Sequence, residues 1–201
     1  MFVHWETVSA IAAAKVVAII RSATAEHAVR VGAEIIGAGL PVVEVSLTTP
    51  GGLDAIRSLS EVEDGRLIGA GTVLDETTAR LAILAGAKFL VCPTVVPEVI
   101  ATGNRYGVPV LPGAQTPTEI VRALELGAAL VKLFPAAHLG PDYLRGVRAA
   151  LPQVGFVPTG GVDAGNAADW LAAGAVALGV GGALTADPVA DNVKALREAV
   201  A

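Results

Sequence analysis

The chain has 201 residues, of which 53% are hydrophobic, 16% charged and 4% aromatic. That length fits a single domain with an ample core, and so apolar a composition excludes a disordered chain. A net charge of -5 and an isoelectric point near 5.2 exclude a basic nucleic-acid face, while one cysteine and three scattered histidines exclude a disulfide framework and leave no pattern for a metal site.

The mean hydropathy of +0.63 raises the question of a membrane. The longest charge-free stretch runs from Trp170 to Ala186, short for a span and interrupted by Gly174, Gly179, Gly181 and Gly182. Glu6 and Lys15 break any secretory leader. The expectation is a cytoplasmic protein whose apolar runs are parallel strands buried on both faces.

Along the chain, residues 1–14 read as a helix. A strand follows at 16–20, then a helix at 24–38 with Thr24 as its cap. From there one phrase recurs: a periodic apolar stretch, a glycine stop, and an aliphatic run about three residues later. It occurs at Gly39 before VVEV, Gly86 before FLV, Gly107 before PVL, Gly127 before LVKL and Gly174 before VALGV. Runs at 67–70 and 155–158 complete eight strands. Their starts lie roughly 20 to 26 residues apart, the length of a minimal strand–helix unit. Helices are expected at 75–85, 117–126, 141–150, 164–173 and 188–200, several opening on proline or an acidic residue. Eight alternations predict a single-domain (β/α)8 barrel over residues 1–201, with residues 1–14 as an extra N-terminal helix covering its floor. A doubly wound open sheet is the alternative.

In such a barrel the chemistry sits at the C-terminal strand ends. Lys132 inside LVKLFP and Glu44 inside VVEVSL are ionisable residues in otherwise aliphatic strands, and must be paired or functional. Each lies five residues after its capping glycine, Gly127 and Gly39, in units six and two. Those units face each other across a barrel, so the two belong to one interior layer, with Val91 and Gly179 between them. Desolvation favours the uncharged form of an amine, which attacks carbonyls, and a carboxylate beside it can shuttle protons. A structural ion pair is the plainer reading, but it contributes little to stability. The glycines of PTGGV and GVGGAL, at the ends of units seven and eight, expose backbone amides suited to phosphate.

At these residues the sequence resembles the 2-keto-3-deoxy-6-phosphogluconate (KDPG) and 4-hydroxy-2-oxoglutarate aldolase family. The resemblance is carried by Arg21 after VVAII, Glu44 in VEVSLTTP, GAGTV at 69–73, CPT at 92–94, LPGAQTPTE at 111–119, VKLFPA at 131–136, PTGGV at 158–162 and GVGGAL at 179–184. It implies a metal-free, cofactor-free class I aldolase, a homotrimer, cleaving KDPG to pyruvate and glyceraldehyde 3-phosphate. It implies Lys132 as the Schiff-base lysine and Glu44 as the general acid and base. Arg21 and Thr72 would hold the pyruvate carboxylate, and Pro93, Thr94, Phe134 and Thr159 would shape the pyruvate pocket. Gly160, Gly161, Gly181 and Gly182 would take the phosphate. Two positions depart from some members. Thr48 stands where certain relatives carry an arginine that grips the carboxylate, and Ala183 stands where others carry a phosphate-contacting serine. Both leave open 4-hydroxy-2-oxoglutarate and the 6-phosphogalactonate epimer as substrates. Outside aldolases, a phosphate-binding barrel isomerase and a silent oligomeric scaffold are the rivals. The first needs no lysine inside strand six, and the second would shed its buried charges.

The remaining residues read blandly. Cys92 is a small core residue, and His138 a loop residue on the functional face. His27 lies on a helix surface and His4 in the N-terminal cover. Trp5 and Trp170 pack, Lys15, Lys88 and Lys194 are solvated, and Arg145 and Arg148 lie on an exposed helix face. Asp163 is a candidate helix cap.

Overall fold

The computed structural model describes residues 3–62 and 65–201. Helix α1 (Val3–Ala14) leads into β1 (Val16–Ile20), α2 (Ala25–Gly37), β2 (Val42–Ser46) and α3 (Gly52–Ser60). Then come β3 (Leu67–Gly71), α4 (Glu76–Leu84), β4 (Phe89–Val91), α5 (Pro97–Tyr106), β5 (Val110–Leu111), β6 (Gly113–Ala114) and α6 (Pro117–Glu125). The chain continues with β7 (Leu130–Leu133), a 3-10 turn (Ala136–His138), α7 (Gly140–Ala150), β8 (Gly155–Pro158), α8 (Ala167–Ala172), β9 (Leu178–Val180), α9 (Gly182–Thr185) and α10 (Val189–Ala199).

Every strand pairing is parallel. One sheet runs β5-β4-β3-β2-β1-β9 and the other β6-β7-β8. They join at both ends. Pro112 interrupts the fifth barrel strand, because its ring nitrogen has no proton to donate, leaving β5 and β6 on either side. The bridge between Thr159 and Gly179 links β8 to β9. The result is a ring of eight barrel strands with helices outside.

The pairing registers set the interior layers. Glu44 is opposite Gly69, and Gly69 opposite Phe89, so two strands round and two residues up from Glu44 stands Val91. The same step leads from Val91 to Lys132, since Val91 faces Leu111 and Gly113 faces Lys132. It leads from Lys132 to Gly179, and from Gly179 back to Glu44. Four steps of two residues make the shift of eight that closes such a barrel. Glu44, Val91, Lys132 and Gly179 therefore form one layer.

Beneath it the interior is apolar: Ile11, Val17, Val42, Phe89, Leu111, Leu130, Val157 and Ala177 pack together. Ile11 brings α1 into this cluster. A Cβ at Gly69 would run into the Phe89 ring, so the largest interior side chain is accommodated by the smallest residue opposite. Outside, the helices' apolar faces bury a second core against the other side of the strands.

Several helix starts follow local chemistry. The Thr24 hydroxyl accepts from His27 N, Asp75 from Thr78 N, and Thr116 and Glu119 close a capping box. Other expectations need correction. The region expected as a helix over 164–173 is helical only over Ala167–Ala172. Asp163 accepts from Gly165 N and Asn166 N, so it stabilises the preceding turn rather than capping the helix. The glycine stop at Gly107 does cap α5, but the sequence set no bounds for α3 or α5, since the first opens on two glycines and the second contains Gly103. Lys15 is not simply solvated: its ammonium donates to Val200 O at 2.6 Å and Ala201 O at 3.2 Å, tying the start of β1 to the chain's last residues. Trp5 is 65% exposed rather than packed, whereas Trp170 is buried. Arg148 is half-buried, with its guanidinium lying over Gly174. Met1 and Phe2, expected in the first helix, lie outside the described residues. Among the described residues no helix is long and apolar enough to cross a membrane.

Candidate active site

Glu44 is 2% exposed and Lys132 8% exposed, both pointing into the barrel near the C-terminal strand ends. The Lys132 amine stands 4.7 Å from the centroid of the Phe134 ring, which offers it a cation–π contact rather than a hydrogen-bonding cap. Burial pushes the Glu44 carboxyl above its ordinary range, and the positive charges of Lys132 and Arg21 pull it back only in part. The two groups sense each other electrostatically, yet among the described residues they do not close into an ion pair. The amine is thus open to an incoming carbonyl, and a carboxyl held above its ordinary range lies in the same layer to exchange a proton.

Glycines make room for this arrangement. A Cβ at Gly71 would collide with Glu44 Oε1, so the end of β3 is bare where the carboxylate lies against it. At Gly179 the space is taken by the Thr159 side chain, whose hydroxyl donates to Val157 O at 3.1 Å. A Cβ at Gly113 would meet the Pro93 carbonyl, so the split fifth strand approaches the end of β4 closely.

Above Glu44 lies a group of hydroxyls. Ser46 is fully buried, two residues beyond Glu44 on the same face of β2. Its Oγ is 2.9 Å from Thr48 Oγ1 and 2.9 Å from Thr72 Oγ1. Thr72, directly after Gly71, has φ 59. A β-branched residue in the left-handed region is an outlier, at a cost of about 1–3 kcal/mol, and such strain concentrates at functional sites. Thr49, also buried, accepts from Ser22 N at 3.1 Å and so anchors the loop that carries Arg21. Ser46 and Thr49 were missed in the sequence, although Ser46 sits two positions after Glu44, the spacing that keeps a strand residue on the same face.

The other expected residues distribute as follows. Arg21 is exposed at the end of β1 and lines a pocket with Ser22, His27 and Thr185, while its charge reaches Glu44. Pro93 is half-buried and Thr94 exposed beyond β4. Gly160 and Gly161 have φ 91 and φ 78, and a Cβ on Gly161 would stand 2.6 Å from Ala137 Cβ, so glycine is required there. Asn166 Nδ2 donates to Gly161 O at 2.8 Å and holds the turn. Gly181 precedes α9, and around a Cβ at Gly182 there is only open space. The bridge between Thr159 and Gly179 makes these two glycine turns neighbours. The helices after them have six and four residues, so exposed turn amides rather than long helix dipoles would contact an anion. His138 is exposed in the 3-10 turn, and His27 Nδ1 is 2.7 Å from Ser22 Oγ. Cys92 is buried among aliphatic residues, which pushes its thiol up to about 12 and makes it unreactive.

Known proteins are similar to this chain in sequence and fold. A family described as KDPG and KHG aldolase matches residues 8–197. A 2-dehydro-3-deoxy-6-phosphogalactonate aldolase of Escherichia coli is 36% identical over 195 residues, covering 92% of this chain and 95% of the relative. A 2-dehydro-3-deoxy-phosphogluconate aldolase of Pseudomonas aeruginosa is 44% identical over 135 residues, 67% of this chain and 61% of the relative. Among solved structures, the KDPG aldolase of Legionella pneumophila with pyruvate captured as a covalent carbinolamine superposes with a TM-score of 0.82 at 29% identity, covering 94% of this chain and 93% of that one. A buried amine and carboxyl in one layer of a (β/α)8 barrel, in a chain matched nearly end to end, leave one assignment: the chain belongs to the KDPG and KHG aldolase family of carbon–carbon lyases.

Proposed function

We propose that this chain is a class I aldolase that cleaves KDPG to pyruvate and glyceraldehyde 3-phosphate through a Schiff base on Lys132. The observation that carries this reading is the placement of the Lys132 amine and the Glu44 carboxyl in one buried layer at the open end of the barrel.

Lys132 Nζ attacks the C2 keto carbon, and Glu44 passes a proton to the carbinolamine hydroxyl, which leaves as water. In the resulting iminium ion, the C3–C4 bond breaks as the Glu44 carboxylate takes the C4 hydroxyl proton. The C4 carbon departs as the aldehyde, and the bonding pair flows into the iminium to give an enamine. Glu44 returns its proton to C3, and water hydrolyses the pyruvyl imine. The iminium is the electron sink, so the step requires no metal. Arg21 and Thr72 hold the carboxylate, Arg21 through charge-assisted bonds. Pro93, Thr94, Phe134 and Thr159 line the pyruvate pocket, and Gly160, Gly161, Gly181 and Gly182 receive the phosphate. A homotrimer is part of the proposal and is read by light scattering.

A second reading keeps every step but changes the aldehyde. Ala183 leaves the glycine turns without a side-chain hydroxyl, which favours 4-hydroxy-2-oxoglutarate, and the Escherichia coli relative acts on the galactonate epimer. Borohydride reduction with pyruvate, followed by peptide mapping, tests the shared chemistry. An adduct on Lys132 is expected, and none in folded protein would remove the mechanism. Comparing kcat/KM for KDPG, its epimer and 4-hydroxy-2-oxoglutarate then decides the substrate.

A further inference from the structure

Ser46 has no assigned part in the chemistry, yet it is a fully buried hydroxyl in an aliphatic strand, where alanine or valine would pack without a polar atom to satisfy. It faces the barrel interior one step above Glu44, and both contacts of its Oγ are hydroxyls at 2.9 Å, Thr48 Oγ1 and Thr72 Oγ1. Three hydroxyls bring three protons, but two contacts use only two. One O–H is left to donate to a group outside the trio. Thr72 is the member beside the reacting pair: it follows Gly71, against which the Glu44 carboxylate rests, and it is held at φ 59, where threonine rarely goes unless its surroundings impose it.

We infer that Ser46 is a positioning residue for the substrate carboxylate, and that it acts through Thr72. Thr48 donates to Ser46, Ser46 donates to Thr72, and the Thr72 O–H is thereby aimed at a carboxylate oxygen. Each bond polarises the next, so a neutral relay that begins at Thr48 strengthens the grip of Thr72 on the anion, beside the charge of Arg21. The inference rests on the aldolase reading, since it takes its ligand, a 2-keto acid, from that chemistry.

The test compares the wild type with Ser46→Ala, Ser46→Thr and Thr48→Ala. Borohydride trapping is measured against the concentration of pyruvate and, separately, of pyruvamide, which presents the same ketone without the charge. Ser46→Ala is expected to raise the half-saturation for pyruvate about tenfold, the change carried by one hydrogen bond to a charged group, with little loss of trapping at saturation. Its half-saturation for pyruvamide is expected to stay near the wild-type value, and Ser46→Thr to restore pyruvate binding. Thr48→Ala, at an exposed position that leaves the core untouched, is expected to raise the pyruvate value about threefold.

Equal half-saturation for pyruvate in wild type and Ser46→Ala overturns the inference. So does an equal loss toward pyruvate and pyruvamide, which signals general damage to the site. If Ser46→Ala does not fold, an unchanged pyruvate value in Thr48→Ala overturns it instead. A wild type that traps neither ketone defeats the aldolase reading itself, and this shows before any substitution is made.

Discussion

Replacing Lys132 by methionine separates what the buried pair does for chemistry from what it costs the fold. Methionine keeps an unbranched stem in the layer of Glu44, Val91 and Gly179 but removes both amine and charge. No Schiff base can form, so borohydride trapping and turnover are expected to vanish. Stability follows a different course. The Glu44 carboxyl, 2% exposed, already sits above its ordinary value near 4.5 because of burial, and the Lys132 charge is the larger of the two influences holding it down. Without that charge the carboxyl keeps its proton to higher pH. A folded chain that retains a proton the unfolded chain has released must give it up on unfolding, so stability falls as pH rises from the ordinary value through the raised one. The slope is at most about 1.4 kcal/mol per pH unit for one proton. Lys132→Met should therefore lose stability over a longer pH interval than the wild type. Lys132→Met combined with Glu44→Gln should lose that dependence and, at about pH 8, exceed the single variant by about 1–4 kcal/mol, the usual gain when buried charge is replaced by neutral groups of similar size. Denaturant midpoints between about pH 5 and pH 8 measure this. Superimposable pH profiles for the single and double variants would show that the Glu44 carboxyl is effectively solvated, and trapping retained by Lys132→Met would show that another amine carries the imine.

Further outcomes follow from the same geometry. Gly71→Ala puts a methyl where Glu44 Oε1 lies, and displacement of the carboxylate should lower kcat about 100-fold, read in steady-state assays against an unchanged chain fold by circular dichroism. Cys92 should resist iodoacetamide in the native protein at about pH 8 and react on unfolding, because burial keeps it as the thiol. Thr116→Ala breaks the capping box of α6 and should cost about 1 kcal/mol, a fall of about 2–4 °C in Tm, without changing kcat. Dialysis against a chelator should leave the rate of pyruvate trapping unchanged, since the proposed imine on Lys132 forms by amine attack and proton transfer alone.

The barrel was legible because its units are local. A glycine stop followed by an aliphatic run marks five of the eight strand starts, and equal offsets from Gly39 and Gly127 put Glu44 and Lys132 in the same register. Strands buried on both faces leave little choice of residue, so an ionisable side chain within one stands out. Ser46 did not stand out, because serine is unremarkable in any strand. Its role depends on Thr72, 26 residues away, and on a left-handed backbone at that threonine which no spacing reveals. Trp5, Lys15 and Arg148 were misjudged for a related reason: whether a long side chain meets solvent, a carbonyl or a bare glycine is decided by elements remote in sequence.

The residue pattern alone thus determined the fold class and the shared layer of Glu44 and Lys132, since these follow from periodicity and from the cost of burying charge. Only the tertiary structure decided that the amine and carboxyl stop short of an ion pair, that Gly71 and Gly179 are bare because Glu44 and Thr159 occupy their space, and that three hydroxyls converge above the carboxylate. Those features arise from contacts between strands whose spacing in space is set by the closed ring, and no stretch of sequence contains both partners.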